Sequence, residues 1–118
     1  MIKAYCVDVS GSMSRRQVLN ALNRVSIDWK HSDLIYVFDH ASAEQISFDQ
    51  LVNYSLEINE PDDLRQLLFK KGSYHRWQGS GAAKAAMLAP NHTIKVCVTD
   101  GFLVSDDFKA YNKIVKMP

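Results

Sequence analysis

No stretch of this chain approaches the ~18 consecutive apolar residues needed to cross a bilayer, which argues against a membrane-spanning helix. Nor is there a long lysine or arginine run. With 14 basic residues against 13 acidic ones the net charge is +1 at pH 7, so neither nucleic acid nor an anionic lipid surface is an expected partner. Cysteine is scarce: the 2 cysteines and 4 scattered histidines offer no zinc-binding spacing. Cys6 and Cys97 each fall inside an apolar run, and they read as small buried hydrophobes rather than as a disulfide. The G-x-x-x-x-G-K-[ST] phosphate loop is missing as well. A strand pattern already begins at Ile2 and leaves no space before it for a basic and then apolar leader, so the expected location is cytoplasmic. What is present is a chain of 118 residues, 47% hydrophobic and 23% charged. That suffices for one globular domain with a sizeable core, expected to span 1–118, and leaves no room for a second.

Apolar spacing predicts alternating strands and helices. Ile2, Ala4, Tyr5, Cys6 and Val7 form a buried-strand run. Val18, Leu22, Val25 and Trp29, with Leu19 beside them, recur at helical spacing and predict an amphipathic helix from Ser14 to about Lys30. Ser14 followed by Gln17 is the sequence of a capping box. Leu34 to Phe38 is too short for a helix and reads as a second strand. Asp39 ends it, and a hairpin turn there is favoured over an accessory acidic role. Glu44 to Phe48 alternates weakly and suits an antiparallel edge strand. Asp49 to Ile58 carries no assignment, because Leu51, Val52, Tyr54, Leu56 and Ile58 fit either period. Pro61 at a first helical position, Asp62 and Asp63 near it, and Gly72 as a stop predict a helix from Pro61 to about Lys71. The alanine-rich Ser80 to Leu88 reads as a helix stopped by Pro90. Thr93 to Val98 is a further parallel strand, and Lys113 to Lys116 a last one.

Two strand ends carry chemistry. Asp8-Val9-Ser10-Gly11-Ser12-Met13 follows the first strand and precedes the first helix, where the ligand crevice of an α/β sheet lies. It offers one carboxylate and two hydroxyls, hard oxygen donors suited to Mg²⁺ or Mn²⁺ and poorly suited to zinc. On its own the run is equally an Asp/Ser turn that caps the next helix. The second signal is Val96-Cys97-Val98-Thr99-Asp100-Gly101, a buried strand ending in Asp and Gly. Between the two lies Gly79-Ser80-Gly81, opening the small-residue run Ala82, Ala83, Ala85, Ala86.

With these three stretches the sequence, from Ile2 to about Gly101, resembles the von Willebrand factor A-type domain. Its metal-ion-dependent adhesion site combines a D-x-S-x-S loop, a Gly-rich loop carrying Thr, and a T-D-G loop. The resemblance implies a three-layer Rossmann-like α/β sandwich with a mostly parallel sheet of order 3-2-1-4, room for a fifth strand, and helices on both faces. It implies metal ligands at Asp8, Ser10, Ser12 and Asp100, with Ser80 at the family's Thr position. It further implies Mg²⁺ or Mn²⁺ as cofactor and a protein partner whose Asp or Glu completes the coordination, without catalysis. His75, Arg76 and Trp77 stand just before Gly79 and are candidates for partner contact, since Trp and Arg are enriched at binding hot spots. Family members usually continue beyond this point, so the chain reads as a shortened form whose far sheet edge a partner or a second copy would cover.

Two other readings compete. One is a haloacid dehalogenase-like phosphatase with Asp8 as nucleophile, Lys70 or Lys95 as phosphate clamp and Asp106 or Asp107 as metal ligand. Against it, Ser10 stands where that family carries a second Asp, so no general acid is left for the leaving group. The other is a structural subunit whose metal motif is degenerate, since Ser80 replaces Thr.

Overall fold

The computed structural model describes residues 1–10, 13–39, 42–57, 81–100 and 109–117. Strand β1 (Lys3–Asp8) is buried at every position after the first, as a strand with neighbours on both edges and layers on both faces must be. It pairs in parallel with β2 (Leu34–Phe38) on one side and with β4 (Ile94–Thr99) on the other. Strand β3 (Ala43–Ile46) runs antiparallel to β2, and β5 (Lys113–Lys116) runs parallel to β4. The sheet order is β3-β2-β1-β4-β5, which includes the fifth strand and is the mostly parallel Rossmann-like arrangement expected. The order reverses beside β1 and β4, so their C-terminal ends form the switch point of the sheet.

The helices follow from local sequence. Helix α1 (Arg15–Asp28) opens on the Ser14–Gln17 capping box: the Gln17 amide donates to Ser14 Oγ, and the Ser14 amide donates to Gln17 Oε1. Its buried stripe is Val18, Ala21, Leu22 and Val25. Helix α2 (Phe48–Glu57) occupies the stretch that either period fits. Its start is set by a second capping box, in which the Ser47 amide donates to Gln50 Oε1 at 2.9 Å and the Gln50 amide to Ser47 Oγ at 3.1 Å. That cap ends β3 at Ile46, so Phe48 begins a helix rather than closing the edge strand. Phe48 stacks on Trp29, with centroids 4.2 Å apart, and so joins the two helices. Helix α3 (Gly81–Leu88) is followed by Pro90, as predicted. The helix predicted for Pro61 to about Lys71 lies outside the described residues.

Side-chain alternation along the strands divides the core into two layers. Tyr5, Val7, Ile35, Val37, Val96 and Val98 face α1 and α2. Ala4, Cys6, Tyr36, Phe38 and Cys97 face α3, whose Ala82, Ala85 and Ala86 let its backbone lie close to the sheet. Tyr111 closes this second layer by donating its hydroxyl to the Ala82 carbonyl at 2.5 Å. Cys6 and Cys97 are register partners on adjacent strands, and both remain thiols. Burial pushes the Cys6 thiol up to about 12 against weaker lowering by the Tyr111 hydroxyl and Lys95, which keeps it protonated at neutral pH. Among the described residues no helix is long and apolar enough to cross a membrane.

At the N-terminal edge of the sheet, Asp33 ties helix to strand. Its carboxylate accepts from the Lys3 amide at 3.0 Å and from the Lys30 amide at 2.9 Å, and its carbonyl accepts from the Trp29 indole at 3.0 Å. Asp33→Ala orphans two backbone donors beside a residue only 8% exposed, which should cost about 2–3 kcal/mol. Urea denaturation checks this, and a loss under about 0.5 kcal/mol, the range of an ordinary surface change, would contradict it.

Candidate metal centre

The loop after β1 is held at both ends by apolar side chains. Val9 and Met13 are buried, the Val9 amide continues the ladder to the Phe38 carbonyl at 2.8 Å, and the Met13 amide closes back on the Ser10 carbonyl at 3.0 Å. Ser14 is occupied by its cap. These anchors hold Ser10 at the C-terminal rim, beside the end of β1.

Strand alternation puts Asp8 on the α3 side of the sheet, and Thr99, one step beyond the Val7–Val98 register pair, points to that same side. The two meet across 91 residues of sequence: Thr99 donates its hydroxyl to Asp8 Oδ2 at 2.6 Å. The other oxygen, Asp8 Oδ1, accepts the Ser10 amide at 2.8 Å. Asp8 is 1% exposed and Thr99 is fully buried. The Thr99 hydroxyl also lies 3.5 Å from Asp100 Oδ1. At that length it is a contact rather than a good hydrogen bond. Two carboxylates thus flank one hydroxyl at the ends of adjacent strands.

Burial and a neighbouring carboxylate both act on Asp8. Burial raises the Asp8 carboxyl above the usual carboxylate range. The hydroxyls of Ser10 and Thr99 and the Ser10 amide pull it down, while the charge of Asp100 pushes it up again. A cation between the carboxylates opposes both upward pushes. Among the described residues no group of three or more His, Cys, Asp or Glu could hold a metal; what this rim offers is two carboxylates and neutral hydroxyl oxygens. That donor chemistry fits Mg²⁺ or Mn²⁺.

The neighbouring turn is built by Asp39. Its amide donates to the Ser42 carbonyl at 2.9 Å, and its Oδ1 accepts the Ser42 amide at 2.7 Å. It is the residue that closes the β2–β3 hairpin, the favoured expectation. Against this turn sits Gly81, the first residue of α3. A Cβ added there would overlap the Asp39 carbonyl oxygen and lie 2.7 Å from the Ser42 carbonyl oxygen.

Of the residues singled out from the sequence, Asp8, Ser10 and Asp100 are brought to one rim. Ser12, Ser80, His75, Arg76 and Trp77 lie outside the described residues. Thr99, the first residue of T-D-G and not among the expected ligands, is the residue that joins Asp8 to the end of β4. The signal that points to it is strand parity: it shares a face with Asp8 once their strands are taken as neighbours.

No family model matches the chain, and no curated protein does. Among solved structures, the chain is similar to a crystal structure of an aerotolerance-related membrane protein from Bacteroides fragilis with multiple mutations to serines. The two share 19% sequence identity at a TM-score of 0.48, over 86% of this chain and 55% of the other, so the chain spans about half the length of that structure.

Proposed function

We propose that this chain is a divalent-metal-dependent protein-recognition module and not an enzyme. The observation that carries the reading is the buried Asp8 carboxylate, pinned through one oxygen by the Ser10 amide and through the other by the Thr99 hydroxyl, with Asp100 across the same hydroxyl. The motif resemblance to von Willebrand factor A-type domains supports the same reading. Asp8, Ser10 and Asp100 would hold Mg²⁺ or Mn²⁺, with Ser12 and Ser80 completing the donor set. Two carboxylates neutralise a dication formally, and the hydroxyls add no charge. When bound, the metal supplies a coordination position that an Asp or Glu of a partner protein can take from water. His75, Arg76 and Trp77 are the residues proposed to meet that partner, because they stand just before Gly79-Ser80-Gly81 in the chain.

Hydrolysis is disfavoured because Ser10 rather than an acid follows Asp8 two residues later, so no general acid is placed by sequence for the leaving group. Calorimetry with Mn²⁺ on the parent chain and on Asp100→Ala tests the reading. The expected loss exceeds about tenfold in affinity, the lower end of what removing even an outer-shell partner produces. Equal binding by the two proteins would remove Asp100 from the site. Metal-dependent phosphate release from p-nitrophenyl phosphate would instead favour a phosphatase.

A further inference from the structure

We propose that Thr99 is the positioning residue of this site, orienting the Asp8 carboxylate so that it suits small octahedral cations better than large, flexibly coordinated ones. The inference rests on the metal-binding reading above and adds a residue to it. A buried carboxylate presents about four lone-pair sites on two oxygens. In Asp8 each oxygen already accepts a bond, from the Ser10 amide at 2.8 Å and from the Thr99 hydroxyl at 2.6 Å, and the Ser10 hydroxyl is a third donor to the group. Two donors on opposite oxygens fix the plane of the group, which neither does alone. The Ser10 donor stands only two residues further along the same chain segment. The Thr99 donor comes from β4 and is rigidly placed, because the β1–β4 register and complete burial hold it.

Thr99 therefore refers the carboxylate to a neighbouring strand, whereas the Ser10 donors refer it to the turn that follows it. It also adjoins Asp100 in the chain, so a single residue aligns one carboxylate and carries the next. Outer-shell partners of metal ligands typically contribute 10- to 100-fold in affinity. Mg²⁺ and Mn²⁺ sites of near-octahedral geometry suffer most when a ligand swings, whereas Ca²⁺ accepts 6–8 oxygens in flexible arrangements.

The test is Mn²⁺, Mg²⁺ and Ca²⁺ titration of the parent, Thr99→Val and Thr99→Ser, with melting curves recorded on each. Thr99→Val keeps the shape and removes the hydroxyl. It should weaken Mn²⁺ and Mg²⁺ by about 10-fold or more, and Ca²⁺ by clearly less, while Thr99→Ser stays within about 3-fold of the parent. A merely structural role would lower the melting temperature without changing the Mg²⁺/Ca²⁺ preference. If the valine variant does not fold, Thr99→Ala read against Thr99→Ser gives the same comparison. Parent-like Mn²⁺ binding by the hydroxyl-free variant would overturn the role of Thr99 alone. A parent that binds none of the three ions overturns the metal reading and this inference with it.

Discussion

Gly81→Ala is expected to lower the melting temperature by roughly 10 °C, although alanine is the better helix former. Helix propensity alone favours alanine by up to about 1 kcal/mol. The opposing term is steric. The new Cβ would overlap the Asp39 carbonyl oxygen, with the Ser42 carbonyl oxygen at 2.7 Å and the Asp39 carbonyl carbon at 2.9 Å. All three are backbone atoms of a turn already closed by two Asp39–Ser42 hydrogen bonds. No rotamer change can relieve the overlap. Either the turn opens, or α3 lifts from a sheet that Ala82, Ala85 and Ala86 meet at close range.

Overpacking a well-filled core with flexible neighbours costs about 1–3 kcal/mol, and an immovable neighbour should put this change at or above that upper end. For a chain of this size about 3 kcal/mol corresponds to roughly 10 °C. Differential scanning fluorimetry is sufficient to see it. A melting temperature within about 1 °C of the parent would show that the turn yields freely. Because Ser80 is joined directly to Gly81, the variant should also bind Mn²⁺ more weakly than its residual folded fraction accounts for.

The second large effect is a separation of binding from stability at Asp8. Asp8→Asn should abolish Mn²⁺ binding and leave the metal-free chain as stable as the parent or more so. Asparagine keeps the shape. Its carbonyl oxygen can still accept the Ser10 amide, and its amide group can face the Thr99 hydroxyl oxygen, which accepts as well as donates. What it removes is a charge that is 1% exposed and stands beside the charge of Asp100. A buried charge without a compensating cation is costly. A residue whose neutral isostere is tolerated or preferred, and which nevertheless carries binding, is the pattern of a functional site built at the expense of stability.

Calorimetry with Mn²⁺ and a melting curve without metal read the two halves separately. Parent-like Mn²⁺ affinity in Asp8→Asn would place any metal elsewhere. A metal-free melting temperature well below the parent's would mark Asp8 as a structural hydrogen-bond acceptor, as the degenerate-subunit reading requires. The same variant distinguishes the phosphatase, whose activity would vanish with the nucleophile.

Much of the architecture was legible in local pattern. The runs at Ala4 to Val7 and Leu34 to Phe38, the Val18–Leu22–Val25 stripe, the alanine helix before Pro90 and the strand ending at Thr99 all appear where periodicity puts them. Local pattern works there because a side chain's face is decided by its neighbours two or four residues away. It gave no decision at Phe48–Glu57, whose apolar residues satisfy both periods. The deciding feature is the pair of hydrogen bonds between Ser47 and Gln50, a signal present in the letters but subordinate to the hydrophobic pattern.

That Asp8, Ser10 and Asp100 come to one rim was also legible, since each stands at or beside a strand end within a recognisable short motif. The sequence by itself thus determined most of the described strands, the helices α1 and α3, and that Asp8 and Asp100 reach the rim. Only the tertiary structure decided that Thr99 holds Asp8 and that Gly81 admits the Asp39 turn. Both depend on the register of strands and on the distance between a helix and a sheet. Those are set by the packing of the whole core, not by residues near 99 or 81 in the chain, because the contacts concerned join atoms far apart in sequence.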